Sequence, residues 1–165
     1  MLTGGNPRSL GRTDEVIQLV LSRPEKLEEL FDCQFADDEI VRMRASDGLE
    51  KICREHPEWF DPYKQRMFDE VSSVRQPSVQ WHLAQMFCEM SLTDAEKKRA
   101  VQIMTHNLES LDEWVVTNLT IEALATFVRR GDFERAKFVE ILKKFQSSRH
   151  NSVARRAQKL LAKFA

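Results

Sequence analysis

The chain has 165 residues, room for one ordinary domain whose core can form without a metal or a disulfide. Hydrophobic residues at 42% and charged residues at 31% exclude a disordered chain. No apolar run reaches a membrane span, and the polar opening Met1-Leu-Thr-Gly-Gly-Asn-Pro-Arg lacks the apolar stretch of a signal peptide. Twenty-five basic and 26 acidic side chains leave a net charge of −1, so total charge does not mark a nucleic-acid binder. Cys33, Cys53 and Cys88 are odd in number and form no CxxC pair, the usage of a reduced, cytoplasmic protein. Glycine is too scarce for a phosphate-binding loop between strand and helix, and alternating β-branched runs are missing, which leaves helix.

In chain order, residues 1–13 are expected to form a flexible leader and residues 14–165 a single domain. A first helix spans about 14–22 and stops before Pro24. Four pairs of helices follow, each an A helix, a turn and a B helix: about 24–35 with 38–55, 58–73 with 77–91, 94–109 with 112–130, and 132–148 with 151–164. Asp38 and Asn151 are placed to cap B helices, Pro77 sits where the second one begins, Thr93-Asp-Ala-Glu96 has the form of a capping box, and Gly131 suits a helix end.

A period of about 37 residues supports the pairing. Val41, Val79, Val116 and Val153 recur in one column; Leu49, Phe87, Leu124 and Leu161 in a second; Ile52, Met90, Phe127 and Phe164 in a third. Separations of 8 and 11 within a unit place these on one helical stripe. The A helices repeat in the same frame through Leu30, Met67, Met104 and Ile141, then Val71, Leu108 and Phe145. A fixed period of this size is the signature of a helical repeat protein.

The segment Asp38-x-x-Val41-Arg42-x-x-Ala45-x-x-x-Leu49, with a weaker echo in Ser152-Val153-Ala154-Arg155-x-Ala157-x-x-x-Leu161, resembles the HEAT/armadillo class, and specifically small bacterial HEAT-repeat proteins. The resemblance covers about residues 27–164. It implies an all-α, right-handed superhelix of four HEAT-like hairpins (about 24–55, 58–91, 94–130 and 132–164) with the first helix covering one end, and a scaffold or partner-binding role. In that class the B helices line the concave surface.

Helix geometry then names the outward columns. Counting from the motif valine, the second, sixth and ninth residues point away from the core. They give Met43, Trp81, Asn118 and Arg155; Asp47, Gln85, Glu122 and Lys159; and Glu50, Cys88, Ala125 and Ala162. A protein partner is expected on this face, centred on Trp81 with Met43, Asp47, Gln85, Asn118, Glu122 and Arg155 around it. Tryptophan dominates many interfaces, although packing between repeats would also account for Trp81. The third column, Arg44, His82, Leu119 and Arg156, falls at the core edge, as a row of rim cations or as side chains lying over the core.

Charge is uneven. Residues 129–165 carry +8 and residues 1–128 carry −9. The basic patch Arg149, Arg155, Arg156, Lys159 and Lys163 solubilises a terminal repeat or takes an acidic partner or nucleic acid, the alternative function. The chain is expected to be a monomer or to self-associate weakly. No catalytic, cofactor or metal residue is expected: Cys53-Arg-Glu-His56 is half a zinc site, and paired acids such as Asp37-Asp38 suit helix starts.

Overall fold

A computed structural model describes residues 1–4, 6 and 9–165. Three positions of the expected leader, Gly5, Pro7 and Arg8, lie outside the described residues. Among the described residues the chain is all-α, with nine α-helices and no strand. It divides into two compact units, residues 1–91 and 92–165, at the junction between the second and third hairpins.

In the first unit, α1 (Thr13–Ser22) ends at Arg23, whose extended backbone is what a following proline favours. The first A helix is broken into a 3-10 turn, α2 (Leu27–Asp32) and another 3-10 turn. The first B helix, α3 (Glu39–Glu55), is capped by Asp38, whose carboxylate accepts from the Ile40 N–H at 2.8 Å. The second A helix is also broken: Pro62 lacks an N–H and its ring opposes an α-helical turn, so residues 57–63 wind as 3-10. Only Lys64–Asp69 is α-helical there (α4). The second B helix, α5 (Pro77–Glu89), begins on its proline.

Helix α3 is the hub of this unit and packs against α1, α2 and α5. The predicted stripe is buried on both B helices: Val41, Leu49 and Ile52 on α3, Val79 and Phe87 on α5 with Met90 just after it. Leu30, Met67 and Val71 are buried from the A segments, and Phe68 stacks on Phe87 at 4.9 Å. Each such side chain contributes roughly 1.5–3 kcal/mol of transfer free energy. Gly48 lets α1 approach closely: a Cβ there would lie 3.4 Å from the Thr13 methyl.

The residues ahead of α1, expected to be a flexible leader, are tied to α3 through Arg44. Its guanidinium is 1% exposed and donates to the carbonyls of Leu2 (2.6 Å), Gly4 (2.7 Å), Asn6 (3.2 Å) and Ser9 (3.0 Å). Gly11, at φ +57, packs against the guanidinium where a Cβ would come within 2.9 Å of it. Arg44 is therefore not a rim cation.

In the second unit, α6 (Asp94–Ser110) opens with the complete capping box of Thr93 and Glu96. The third B helix, α7 (Trp114–Arg130), is capped by the Glu113 carboxylate, which accepts from Val115 and Val116. It ends at Gly131 in the left-handed region at φ 80, with the Asp132 N–H returning to the Phe127 carbonyl. The last pair is α8 (Arg135–Phe145) and α9 (Asn151–Phe164). Helix α7 packs against α6, α8 and α9.

Two local expectations need correcting here. His150 precedes α9 and Asn151 is its first residue, so Asn151 makes no side-chain cap. On α8 the most buried side chains are Phe138 and Leu142, with Ile141 and Phe145 only half-buried. Phe138 meets Phe164 edge-on at 5.3 Å, and that contact turns α8 by one residue relative to the 37-residue frame.

Candidate functional site

Each unit contains one joint between neighbouring B helices, and the outward columns meet there. At the α3–α5 joint, His82 Nδ1 lies 3.0 Å from the Ser46 hydroxyl and Nε2 lies 3.8 Å from the Asp47 carboxylate. Lys51 pairs with Asp47 at 2.9 Å. Burial pushes the His82 pKa down to about 4, against the upward pull of the Asp47 charge, so the imidazole is neutral near pH 7.

At the α7–α9 joint, Arg156 takes the place of the imidazole. It donates to Asn118 Oδ1 at 3.0 Å and to Glu122 Oε1 at 2.5 Å. Asn118 donates in turn to the Ser152 hydroxyl at 3.1 Å. The two joints follow one rule: the third residue after the motif valine reaches back to the sixth residue of the preceding B helix, His82 to Asp47 and Arg156 to Glu122. The residue directly after that valine serves the turn, and Arg42 also donates to Gln76 Oε1 at 2.6 Å, just ahead of α5. Arg42 donates to the carbonyls of Ala36 and Asp37, and Gln80 to those of Val71 and Val74. These main-chain acceptors would otherwise be left short of partners.

The expected partner face is thus divided by chemistry. In the first unit Met43, Asp47, Trp81 and Gln85 are all half-buried, and Asp47 is engaged by Lys51 and α5. Met43 and Trp81 hold the same register position on packed helices, and the indole meets the His82 ring edge-on at 5.3 Å. In the second unit Asn118 is buried, Glu122 is half-buried and held by Arg156, and Arg155 is exposed. In the basic patch Arg149 pairs with Asp112 and Arg156 with Glu122. Arg155, Lys159 and Lys163 are exposed, and none has an ion-pair partner among the described residues.

One aromatic group was not anticipated. Trp114, the first residue of α7, is 49% exposed. It lies two residues before Val116, which puts it about 160° from the core stripe by the same arithmetic that singled out Trp81. Extending the outward columns backwards into the first turn would have found it.

The arrangement offers little for chemistry. Ser46, His82 and Asp47 are the residue types of a nucleophile, a base and an orienting acid, but Ser46 is 1% exposed, so substrate does not reach its hydroxyl. Cys53 is buried, and desolvation with nearby Glu89, Glu50 and Glu58 pushes its thiol up to about 12, which suppresses the reactive thiolate. His56, its partner in the CxxH spacing, stacks on Trp59 at 4.2 Å. Among the described residues no three metal-ligating side chains converge, and no helix is long and apolar enough to cross a membrane. A mostly apolar cleft of about 250 Å³ is lined by Leu2, Val16, Val20, Leu30 and Cys33.

A family model described as a HEAT repeat domain matches residues 6–110. No curated protein and no solved structure matches the chain. HEAT repeats generally mediate protein–protein interaction, and the family is typically a non-catalytic scaffold. With its helices paired in one repeating register and that match over more than half of its length, the chain belongs to the HEAT repeat family.

Proposed function

We propose that the chain is a non-catalytic protein-interaction module that takes a protein partner on its B-helix face, around Trp81. The observation that carries this reading is the state of the indole: Trp81 is only half-buried, while His82, Leu83 and Ala84 beside it on α5 are buried. A large, rigid, amphipathic ring partly open to solvent is the type of group that anchors interfaces. Met43 and Gln85 extend the surface on α3 and α5. Asp47 lies beside it at the α3–α5 joint, paired with Lys51 on its own helix and 3.8 Å from His82 Nε2.

Affinity capture from native extract, run with wild type beside Trp81→Ala, tests the reading together with a thermal melt of both proteins. The expected result is a specific partner lost by the variant, with the melting temperature lowered by no more than about 2–3 °C, roughly what a fraction of a kcal/mol produces in a domain of this size. A large loss of stability in the variant, or a partner retained by it, overturns the assignment of Trp81.

A further inference from the structure

The joints define which side of a B helix receives its neighbour. The second, fifth, sixth and ninth residues after the motif valine are Met43, Ser46, Asp47 and Glu50 on α3, and Asn118, Ile121, Glu122 and Ala125 on α7. Every one of these eight is buried or half-buried where the next B helix lies against it. On α9 the same positions are Arg155, Gln158, Lys159 and Ala162, and all four are exposed. The side built to receive a helix is open there.

Its charge is also inverted. In both filled joints the receiving helix presents side-chain oxygens, Asp47 or Asn118 and Glu122, towards the imidazole of His82 or the guanidinium of Arg156 on the arriving helix. On α9 the receiving positions carry cations instead. Arg155, Lys159 and Lys163 follow one another at four-residue spacing, exposed and without ion-pair partners among the described residues. Like charges at that spacing repel along the helix, so the row works against α9 unless something negative lies over it. Small or half-buried Ala154, Leu161 and Ala162 flank the row, which leaves a helix room to approach closely and gives it apolar surface to cover.

We propose that α9 is the docking face for an acidic amphipathic helix of a partner protein, whose carboxylates at four-residue spacing pair with Arg155 and Lys159 in the register used by Arg156 and Glu122. The same inversion rejects further copies of this chain. Its own B helices would arrive with Arg44, His82, Leu119 or Arg156 in the pairing position, and none of these is a carboxylate. A nucleic-acid duplex matches the charge but leaves the apolar flank uncovered, so a helix fits the surface better. This site goes beyond the Trp81 surface and stands or falls separately from it.

The test uses the full chain and four probes: a short synthetic helix with a Leu/Ala stripe and two Glu at four-residue spacing, its twins with Gln or Lys for Glu, and a DNA duplex. At about 100 mM salt, where exposed charges act over about one Debye length, the Glu helix is expected to bind at least roughly tenfold more tightly than its Gln twin. Arg155→Glu with Lys159→Glu is expected to lose the Glu helix and accept a Lys version of it. Arg155→Gln with Lys159→Gln, milder for folding, loses the Glu helix with unchanged helical circular dichroism. Trp81→Ala binds the Glu helix as wild type does, which separates failure here from failure of the Trp81 reading. Equal binding of the Glu and Gln helices, no binding of the Glu helix up to millimolar concentration, or tighter binding of the DNA duplex overturns the proposal.

Discussion

At the α3–α5 joint the side chain that crosses between B helices is a neutral imidazole, His82, held in a buried setting by Ser46 and Asp47. At the α7–α9 joint the crossing group is a guanidinium, Arg156, which is about one-third exposed and grips Asn118 and Glu122 directly. The register and the columns are the same, and only depth differs. A buried joint cannot hold a charge cheaply, so it uses a group that can shed its proton; a shallow joint keeps the charge because water shares the cost of solvating it. The repeat therefore fixes where a contact falls, and burial decides which chemistry the contact uses.

The comparison can be broken most forcefully at α3, where Arg44 in the crossing column reaches leader carbonyls and not a B helix. Arg44→Met keeps the volume but removes every donor to four leader carbonyls. It is expected to destabilise the protein by about 3 kcal/mol, read as a lower denaturant midpoint, because the buried Leu2 carbonyl and three partly buried carbonyls lose their charged donor together. A midpoint equal to wild type would mean that the leader is held without the guanidinium.

The second test uses pH. The His82 pKa is lowered in the folded protein to about 4, below the ordinary histidine value, so the unfolded chain binds the extra proton first. The contribution of this group is fully present above about pH 6.5 and is lost as pH falls towards 4, a change of about 3 kcal/mol. Denaturation across that window should show the slope in wild type and a flatter one in His82→Gln. Arg156→Gln should leave the histidine slope in place, since it alters only the other joint.

The smallest effect is expected at that other joint. Arg156→Gln removes the pair with Glu122, but both side chains are more than a third exposed, so screening by water limits the loss to about 1 kcal/mol. If it costs as much as Arg44→Met, depth does not set the energetics of these contacts. Gly131→Ala gives a reference of similar size, about 1 kcal/mol, for placing a Cβ at φ 80.

Much of this architecture was legible in the sequence, because helix spacing alone fixes which side chains share a face. The valine, leucine and isoleucine columns of α3, α5 and α7 point inward as the 37-residue frame requires. The frame failed on α8, where Phe138 and Leu142 are buried while the framed residues Ile141 and Phe145 are only half-buried. It also could not see main-chain partners: nothing in the residues around Arg44 signals that four carbonyls of the leader enclose it, since a carbonyl has no letter of its own. The ladder between joints escaped for another reason. One column looked like a rim of cations and the other like a free surface, but Arg156 hydrogen-bonds Asn118 and Glu122, and His82 lies 3.8 Å from Asp47.

The thiols of the first unit act as clocks of different speed. Cys53 lies at the centre of that unit with its proton held firmly, whereas Cys33, at the end of the first A segment, is only half-buried. A thiol reagent in excess would mark Cys33 through small, frequent openings and Cys53 only when α3 parts from its neighbours. The ratio of the two labelling rates measures how often the unit frays compared with how often it comes apart, with no residue of the protein changed.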